Sequence, residues 1–427
     1  MKYVIATLGC KVNQFETQAV ERMLRAHGHV PTDAGDADAV IVNTCAVTAE
    51  SGRKSRQAIR RLAAENPGAV LAVCGCFSQL EPEAVRARGA DVVFGRGDRA
   101  GFAAAVERAV ADSTRVCAHD DPFRRRDFEP LPAGALETRA RAYLKIEDGC
   151  DNFCAYCIIP YARGRVRSLP PADAAREAAR LQAEGFCEIV VTGIEIASYG
   201  KDLPDAPGLA DAVRAVAAAA PDARIRLGSL EPTVVTEAFC RALVDCGSVC
   251  PHFHLSLQSG CDRTLRAMRR RYDTAAFLRA AALLRAHFPG CALTGDLIAG
   301  FPGETEEDFA ATCAFLRTVG FAALHVFPYS VRPGTRAAAM PDQLPHAVKD
   351  ARARAAQAEA ETLRQAYLAA QIGRTLPVLF ETERDGLCQG HADNYCAVCA
   401  PGEALHGLIR NVKISAVNGK KLIGNIV

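Results

Sequence analysis

Apolar positions recur along this chain in two rhythms, and the places where the rhythm changes divide it. Near the start, short apolar runs at 3–8, 39–43 and 70–73 alternate with helix-period stretches at 14–26 and 52–65. Such βαβα alternation predicts an open, mostly parallel sheet. From residue 143 the alternation resumes and is longer. Runs at 143–146, 188–192, 224–227, 253–257, 293–299 and 323–327 are separated by alanine-rich helical stretches, with no hairpin signal between them. Six βα units in series predict a parallel barrel, complete or partial, and barrels of this kind place their chemistry at the C-terminal ends of the strands.

A long helical pattern at 346–370 leads out of the barrel. After it, 373–381 and 404–427 read as short strands, with Asn418-Gly419 as a hairpin signal between two apolar runs. Between the two α/β parts, a charged, proline-rich stretch containing Arg124, Arg125 and Arg126 reads as a linker. The predicted class is therefore α/β. It comprises an N-terminal open parallel sheet domain over 1–111, a linker over 112–139, a partial barrel with its exit helix over 140–370, and a small all-β barrel over 371–427.

Length and composition narrow the setting. At 427 residues, 49% hydrophobic and 23% charged, the chain has the makeup of a globular protein with more than one core. No apolar run approaches the roughly 20 residues that span a bilayer, and the start lacks a signal-peptide layout. The expectation is a cytoplasmic protein with no membrane partner. Eighteen cysteines in a reducing compartment point to metal ligands more than to disulfides. A net charge of +2 neither demands nor excludes nucleic acid, although Lys413, Lys420 and Lys421 make the terminal module locally basic.

The candidate chemistry is carried by cysteines. Cys150, Cys154 and Cys157 form a C-x3-C-x2-C loop after the first barrel strand. Three thiolates can hold three corners of one iron–sulfur cube and leave the fourth iron open to a substrate, as catalytic zinc sites are open. A zinc knuckle is the alternative, and the spacing fits neither common zinc pattern. Cys10, Cys45 and the pair Cys74 and Cys76 each follow a predicted strand of the first sheet. At one sheet edge they can surround a second cluster; the other reading is that they are small buried hydrophobes. The remaining barrel strand ends carry Gly193, Glu195, Ser229, Glu231, Ser256, Gln258 and Asp296. Glycine permits close backbone approach to a ligand, and the polar side chains offer hydrogen bonds to a ribose or amino-acid group or, equally, caps for helices. Cys388, His391, Cys396 and Cys399 have a spacing that can hold zinc or can fill a small core.

The cysteine loop, with Tyr156 before its last cysteine, resembles the signature of the radical S-adenosylmethionine enzymes. In that superfamily the open iron is chelated by S-adenosylmethionine, which an electron from the cluster splits to give a radical. Four further stretches extend the likeness: Thr7-Leu-Gly-Cys10-Lys-Val-Asn-Gln-Phe-Glu-Thr17, Asn43-Thr-Cys45, Gly75-Cys76-Phe-Ser-Gln79 and His254-Leu-Ser-Leu-Gln-Ser-Gly260. Together they resemble the radical S-adenosylmethionine methylthiotransferases over essentially the whole chain, with a TRAM-like RNA-binding barrel at the end.

The resemblance implies two [4Fe–4S] clusters, an auxiliary one on Cys10, Cys45 and Cys76 and a radical-generating one on Cys150, Cys154 and Cys157. It selects Cys76 over Cys74, leaving Cys74 as a neighbour able to substitute. It also implies S-adenosylmethionine as cofactor, an electron donor such as flavodoxin or ferredoxin, and the anticodon stem-loop of tRNA as partner. The stretch around Cys10, with Thr192–Tyr199 and Arg226–Pro232, resembles the branch acting on threonylcarbamoyladenosine. Isopentenyladenosine in tRNA and a ribosomal protein side chain are the alternative substrates, and a non-catalytic iron–sulfur RNA-binding protein is the alternative class. Arg163, Arg165, Arg167 and the run Arg269, Arg270, Arg271 read either as RNA contacts or as solvated faces.

Overall fold

Six strands form the first sheet: β1 (Lys2–Thr7), β2 (Val30–Pro31), β3 (Ala39–Thr44), β4 (Val70–Gly75), β5 (Val92–Phe94) and β6 (Val116–Ala118). In the computed structural model, which describes residues 1–132 and 140–427, all are parallel and run in the order β2-β1-β3-β4-β5-β6. β3 is buried at every position because both faces of the sheet are covered, which is why it reads as a continuous apolar run. On one face Tyr3, Ile41 and Phe94 pack with Leu24 and Phe102 from the helices Lys11–Ala26 and Arg99–Asp112. On the other, Val40, Val42 and Val73 pack with Ile59 and Leu62 of the helix Ala49–Glu65. The strand order reverses between β1 and β3, and such a switch point opens a crevice at the C-terminal strand ends.

One prediction needs correction here. β5 and β6 are too short to show a periodicity, and β6 lies within the stretch read as a linker, where it pairs with β5 as an edge strand. The end of that linker, 133–139, lies outside the described residues.

The second part contains β7 (Ala142–Lys145), the two-residue strands β8 (Glu147–Asp148) and β9 (Arg167–Ser168), then β10 (Glu188–Thr192), β11 (Arg224–Leu227), β12 (Ser229–Leu230), β13 (His252–Gln258), β14 (Ala292–Ala299) and β15 (Ala323–Pro328). The long strands are parallel in two adjoining sheets, β11-β10-β7 and β12-β13-β14-β15. The chain changes partner at Gly228, between β11 on β10 and β12 on β13. The result is a parallel barrel of six units, and of the two forms the alternation allows it is the partial one. Its exit helix, His346–Ala369, turns Ala353, Ala356 and Ala360 inward, a spacing that keeps one helix face small and lets it lie close against the barrel. Among the described residues no helix is long and apolar enough to cross a membrane.

The terminal strands β16 (Thr375–Arg384), β17 (Leu387–Ala392), β18 (Ala397–Pro401), β19 (Ile409–Asn418) and β20 (Lys421–Ile426) close into a barrel of order β16-β17-β18-β20-β19. Gly419, with φ +58°, sits in the predicted hairpin turn. The zinc-like stretch supplies β17 and β18 instead. Cys388 and Cys396 lie in the barrel core, Cys388 Sγ approaches the Gly402 carbonyl at 3.1 Å, and His391 Nδ1 lies 2.7 Å from Glu381 Oε1. This barrel docks on the N-terminal ends of the parallel strands. Arg226 donates to the Asp393 and Ala392 carbonyls at 2.7 and 3.2 Å, Arg224 donates to Pro377 and His391, and Tyr395 stacks on His252 with 4.8 Å between ring centres.

The first sheet docks at the opposite end through buried charge. Glu16 pairs with Arg96, with Arg163 at 3.3 Å and with Lys145 at 3.4 Å; Asp148 pairs with Arg163 at 2.6 Å and with Lys145 at 3.2 Å. Burial pushes the Glu16 carboxyl up, but Arg96, Arg163 and Lys145 outweigh it and hold its pKa at about 2, against an ordinary 4.5. A carboxyl held below its unfolded value contributes stability that is complete above that value. That stability is lost as pH falls from 4.5 towards about 2. Glu16→Ala strands the buried Arg96 and leaves Arg163 and Lys145 to share Asp148 alone, so the first unfolding transition in urea should shift down by about 3–5 kcal/mol at neutral pH. The gap between variant and parent should narrow below pH 4.5. Equal urea midpoints, read by circular dichroism, would show that the cluster holds nothing together.

Candidate active site

Each cysteine of the first triad leaves the sheet at the C-terminal end of a neighbouring strand. Cys10 follows β1 and caps the helix Lys11–Ala26, Cys45 follows β3, and Cys76 opens the short helix after β4. Register places Thr7 beside Asn43 and Thr44 beside Gly75, so the three exits lie side by side. Two glycines make this crowding possible. Gly9 and Gly75 both have φ +106°, a region that L side chains avoid. A Cβ on Gly9 would lie 2.9 Å from Cys45 Sγ, and one on Gly75 would lie 2.5 Å from Asn43 Oδ1 and closer still to the Thr44 carbonyl.

The motif asparagines fasten these exits. Asn13 Nδ2 donates to the Leu8 carbonyl at 2.7 Å and the Thr44 carbonyl at 3.0 Å, while Asn43 Nδ2 donates to the Asn13 carbonyl at 3.0 Å. Ser55 Oγ accepts from the Cys45 amide at 3.1 Å. Cys74 belongs to the opposite face. Its side chain packs with Tyr3, Ile41 and Phe102, whereas Cys76 packs with Phe77, Ile158 and Ile159. Residues two apart share a face within a strand, but β4 ends at Gly75, with φ +106°, and Cys76 opens a helix, so Cys74 is not placed to substitute for Cys76, contrary to expectation.

The second triad lies on the loop after β8, with Phe153 turned to φ +46° between its first two cysteines. Arg270 donates to Cys154 Sγ at 3.1 Å and to Glu231 Oε2 at 3.4 Å, with its side chain only 5% exposed. Asn152 Nδ2 donates to Glu231 Oε2 at 3.1 Å and Glu195 Oε2 at 3.4 Å. Burial, followed by the neighbouring Glu231 charge, pushes the Glu195 carboxyl up to about 7. Glu147, fully buried, accepts from the Ile194 and Glu195 amides at 2.8 and 2.7 Å. Gly193 is glycine because a Cβ there would lie 2.6 Å from Glu147 Oε2.

The other candidates separate. Ser256 and Gln258 share one face of β13 with His254, whose Nε2 lies 3.1 Å from Asp296 Oδ2 on β14. Gln258 has φ +65° at a break in register. Ser229 is exposed on β12, away from these bonds. Of the helix-cap readings, only the one for Glu195 is met: its side chain accepts from Ala197 N at the head of a short 3-10 turn.

The arginine runs read as surface or RNA contacts need correction. Arg163 and Arg167 are buried, 1% and 4% exposed, in the charge cluster between domains; only Arg165 is exposed. Arg270 points inward onto Cys154, while Arg269 and Arg271 are exposed. Arg125 is folded onto Asp120 and donates to Gln79 Oε1 at 2.8 Å, whereas Arg124 and Arg126 are exposed. A run of like residues carries no signal of which member is buried. Asn13, Asn43, Asn152 and Arg270 were missed as site residues, although the first two stand inside the quoted motifs.

Both triads have the chemistry of a cation-binding donor set. Burial, then the Cys76 charge, pushes the Cys45 thiol up to about 11. Burial, then Cys154, pushes Cys157 up to about 12. Thiols that repel one another in this way ionise only with a cation among them, and iron supplies it. Among the described residues no three Cys, His, Asp or Glu side chains converge to share a single ion, whereas a cube offers a separate iron to each sulfur. Arg163, six residues beyond Cys157, donates to Asn13 Oδ1 at 2.9 Å and lies in the field of Cys10 and Cys76, and Cys157 packs against the apolar cluster that holds Cys76, so the loop of the second triad lies against the domain that carries the first.

Comparison with known proteins agrees with this architecture. Residues 144–316 match the Radical SAM superfamily, and residues 2–95 match a family described as Uncharacterized protein family UPF0004. The threonylcarbamoyladenosine tRNA methylthiotransferase MtaB of Bacillus subtilis is 37% identical over 96% of this chain and 92% of its own. A tRNA-2-methylthio-N(6)-dimethylallyladenosine synthase of Syntrophomonas wolfei is 33% identical over 100% of this chain and 98% of its own. Among solved structures, the radical S-adenosylmethionine methyltransferase TsrM of Kitasatospora setae, with cobalamin and a [4Fe-4S] cluster bound, superposes with a TM-score of 0.58 at 16% identity. The match covers 79% of this chain and 77% of that one, a likeness of fold.

Gly75→Ala forces Cys76 away from its strand exit, so the reconstituted variant should lose roughly half of its bound iron. Cys74→Ala should keep it all. A colorimetric iron and sulfide assay reads both, and iron loss in the Cys74 variant would reverse the assignment.

Proposed function

This chain belongs to the radical S-adenosylmethionine tRNA methylthiotransferases, and on that premise we propose that it converts threonylcarbamoyladenosine beside the tRNA anticodon to its 2-methylthio derivative. The observation that carries the reading is the pair of cysteine triads on separate domains, joined by Arg163 and Asn13. Cys10, Cys45 and Cys76 hold an auxiliary [4Fe–4S] cluster, and Cys150, Cys154 and Cys157 hold the radical-generating one. When bound, the clusters and S-adenosylmethionine supply the electron, the radical, the methyl group and the sulfur.

The chain's own residues hold and shield. Asn152 ties Glu195 to Glu231 beside the cysteine loop, where a cationic sulfonium would restore the ionised form of the raised Glu195 carboxyl. Gly193 keeps the Glu195 backbone on Glu147, and Ser256, Gln258 and Asp296 line the strand face beyond, with Ser229 at its edge. Domains clamped on both ends of the partial barrel exclude water from a radical that water would quench. The terminal barrel, with Lys413, Lys420 and Lys421, takes the anticodon stem-loop, and a flavodoxin- or ferredoxin-type donor serves the enzyme in the cytoplasm.

Nucleoside mass spectrometry of tRNA from cells with and without the gene tests the substrate. Loss of 2-methylthio-threonylcarbamoyladenosine with accumulation of its precursor is the expected result. Loss of the isopentenyl derivative instead would move the substrate and keep the chemistry; no change in either would turn attention to ribosomal proteins. In vitro, Cys157→Ala should abolish reductive cleavage of S-adenosylmethionine. Cys45→Ala should leave cleavage measurable and stop sulfur insertion, and equal loss of both activities in the two variants would remove this division of labour.

A further inference from the structure

Two arginines meet across the seam between the first sheet domain and the partial barrel, and neither is answered by an acid. Arg56 lies on the helix Ala49–Glu65, which begins four residues after Cys45, and Arg332 lies on the loop after β15. The two segments are tied where the Ala49 amide donates to Ser330 Oγ at 2.8 Å. Gly52, one turn before Arg56, lets the loop approach. A Cβ there would lie 3.5 Å from Arg56 Nη1 and 3.7 Å from Arg332 Nη1, so both guanidinium groups stand around one point.

Arg332 is 8% exposed, and its Nε is buried with no acceptor. Among the described residues neither guanidinium forms a hydrogen bond or an ion pair; Arg56 covers the Phe77 ring, 5.6 Å from its centre. The acids at hand do not serve. Glu50 is held by Arg53 at 2.6 Å, and Glu81 acts on Arg332 from beyond ion-pair distance. The Thr335 amide and hydroxyl both donate to the Arg332 carbonyl, at 3.1 and 2.7 Å, and hold the loop in place. Keeping a cation away from water without a partner is unfavourable, and a like charge beside it makes it more so. A pair fixed in this way is a receptor for an anion. Two guanidinium forks converging on one point suit the oxygens of a phosphate. Val47 and Val331, on either side of the tie, are 45% and 42% exposed, so the seam is within reach of a macromolecule.

Resting on the function proposed above, we infer that Arg56 and Arg332 clamp a backbone phosphate of the RNA substrate at this seam. Enzymes that do chemistry on a base take it out of its stack, and the strand must then be held by its backbone. The clamp stands beside the strand end that carries Cys45. It takes one half from each domain, so it is complete only when the two are docked.

The test measures binding of a labelled anticodon stem-loop to reconstituted holoenzyme over a range of salt concentrations. Arg332→Gln leaves no carboxylate stranded, so it should fold with parental iron content. It should bind roughly tenfold more weakly at low salt and lose about one unit from the slope of log affinity against log salt. Arg56→Gln should do the same, whereas Arg332→Lys, with the charge but not the fork, should keep the slope and recover part of the affinity. Replacing the loop phosphates one at a time by neutral methylphosphonates should find one position that weakens the parent and leaves Arg332→Gln unaffected. An unchanged slope in Arg332→Gln overturns the assignment, and so does a phosphate scan without such a position. An Arg332→Gln effect confined to the reduction potential of the auxiliary cluster overturns it as well, by making that cluster the anion served. The substrate reading fails separately, if the parent binds the threonylcarbamoyladenosine stem-loop through this phosphate and leaves it without a methylthio group.

Discussion

The structure depends on a charge cluster that has been taken out of water. Glu16 from the first sheet domain and Asp148 from the barrel share Arg163, with Arg96 and Lys145 completing the set, and all of them are buried. Desolvation makes such clusters poor sources of net stability. What they provide is geometry, because each ion tolerates few alternative partners. Here the geometry passes directly to the chemistry. Arg163 donates to Asn13, and the Asn13 amide grips the carbonyls at the ends of β1 and β3, the strands from which Cys10 and Cys45 emerge. One guanidinium thereby relates the exits of the first triad to the loop of the second.

The other end of the partial barrel is closed by different means. Glu188 is saturated by three arginines, two of which extend to backbone carbonyls of the terminal barrel, and Tyr395 lies between His252 and His391 with Arg226 over its ring. Ring stacking and cation–π contact supply the packing there, and carbonyl acceptors supply the register. The two closures leave the interior lined by polar side chains rather than by a hydrophobic plug.

Much of this was legible in the residue pattern because the functional groups sit where periodicity changes. The cysteine loop and the strand-end cysteines stand at the breaks between apolar runs and helices, and both breaks correspond to real strand ends. The misreadings share a cause. A three-residue strand such as β5 or β6 has no measurable period, and a cluster of arginines reads as solvated whether or not a carboxylate from a distant segment neutralises it. Arg163 and Arg167 find Asp148, and Arg270 finds Glu231 and Cys154, only through tertiary structure. Cys74 and Cys76 are two apart in sequence, yet one belongs to a strand and the other to the helix that follows, and the chain turn at Gly75 assigns them to different cores.

The exit helix has a mechanical consequence. It begins beyond the C-terminal end of β15, near the chemistry, and runs back to the docking end, where Tyr367 bonds the Gly290 carbonyl and Gln365 bonds that of Gly419 in the terminal barrel. Its 24 residues span about 36 Å. A hydrogen-bonded rod of that length changes little in rise per residue, so the helix acts as a strut that sets the separation of the reacting end and the terminal barrel.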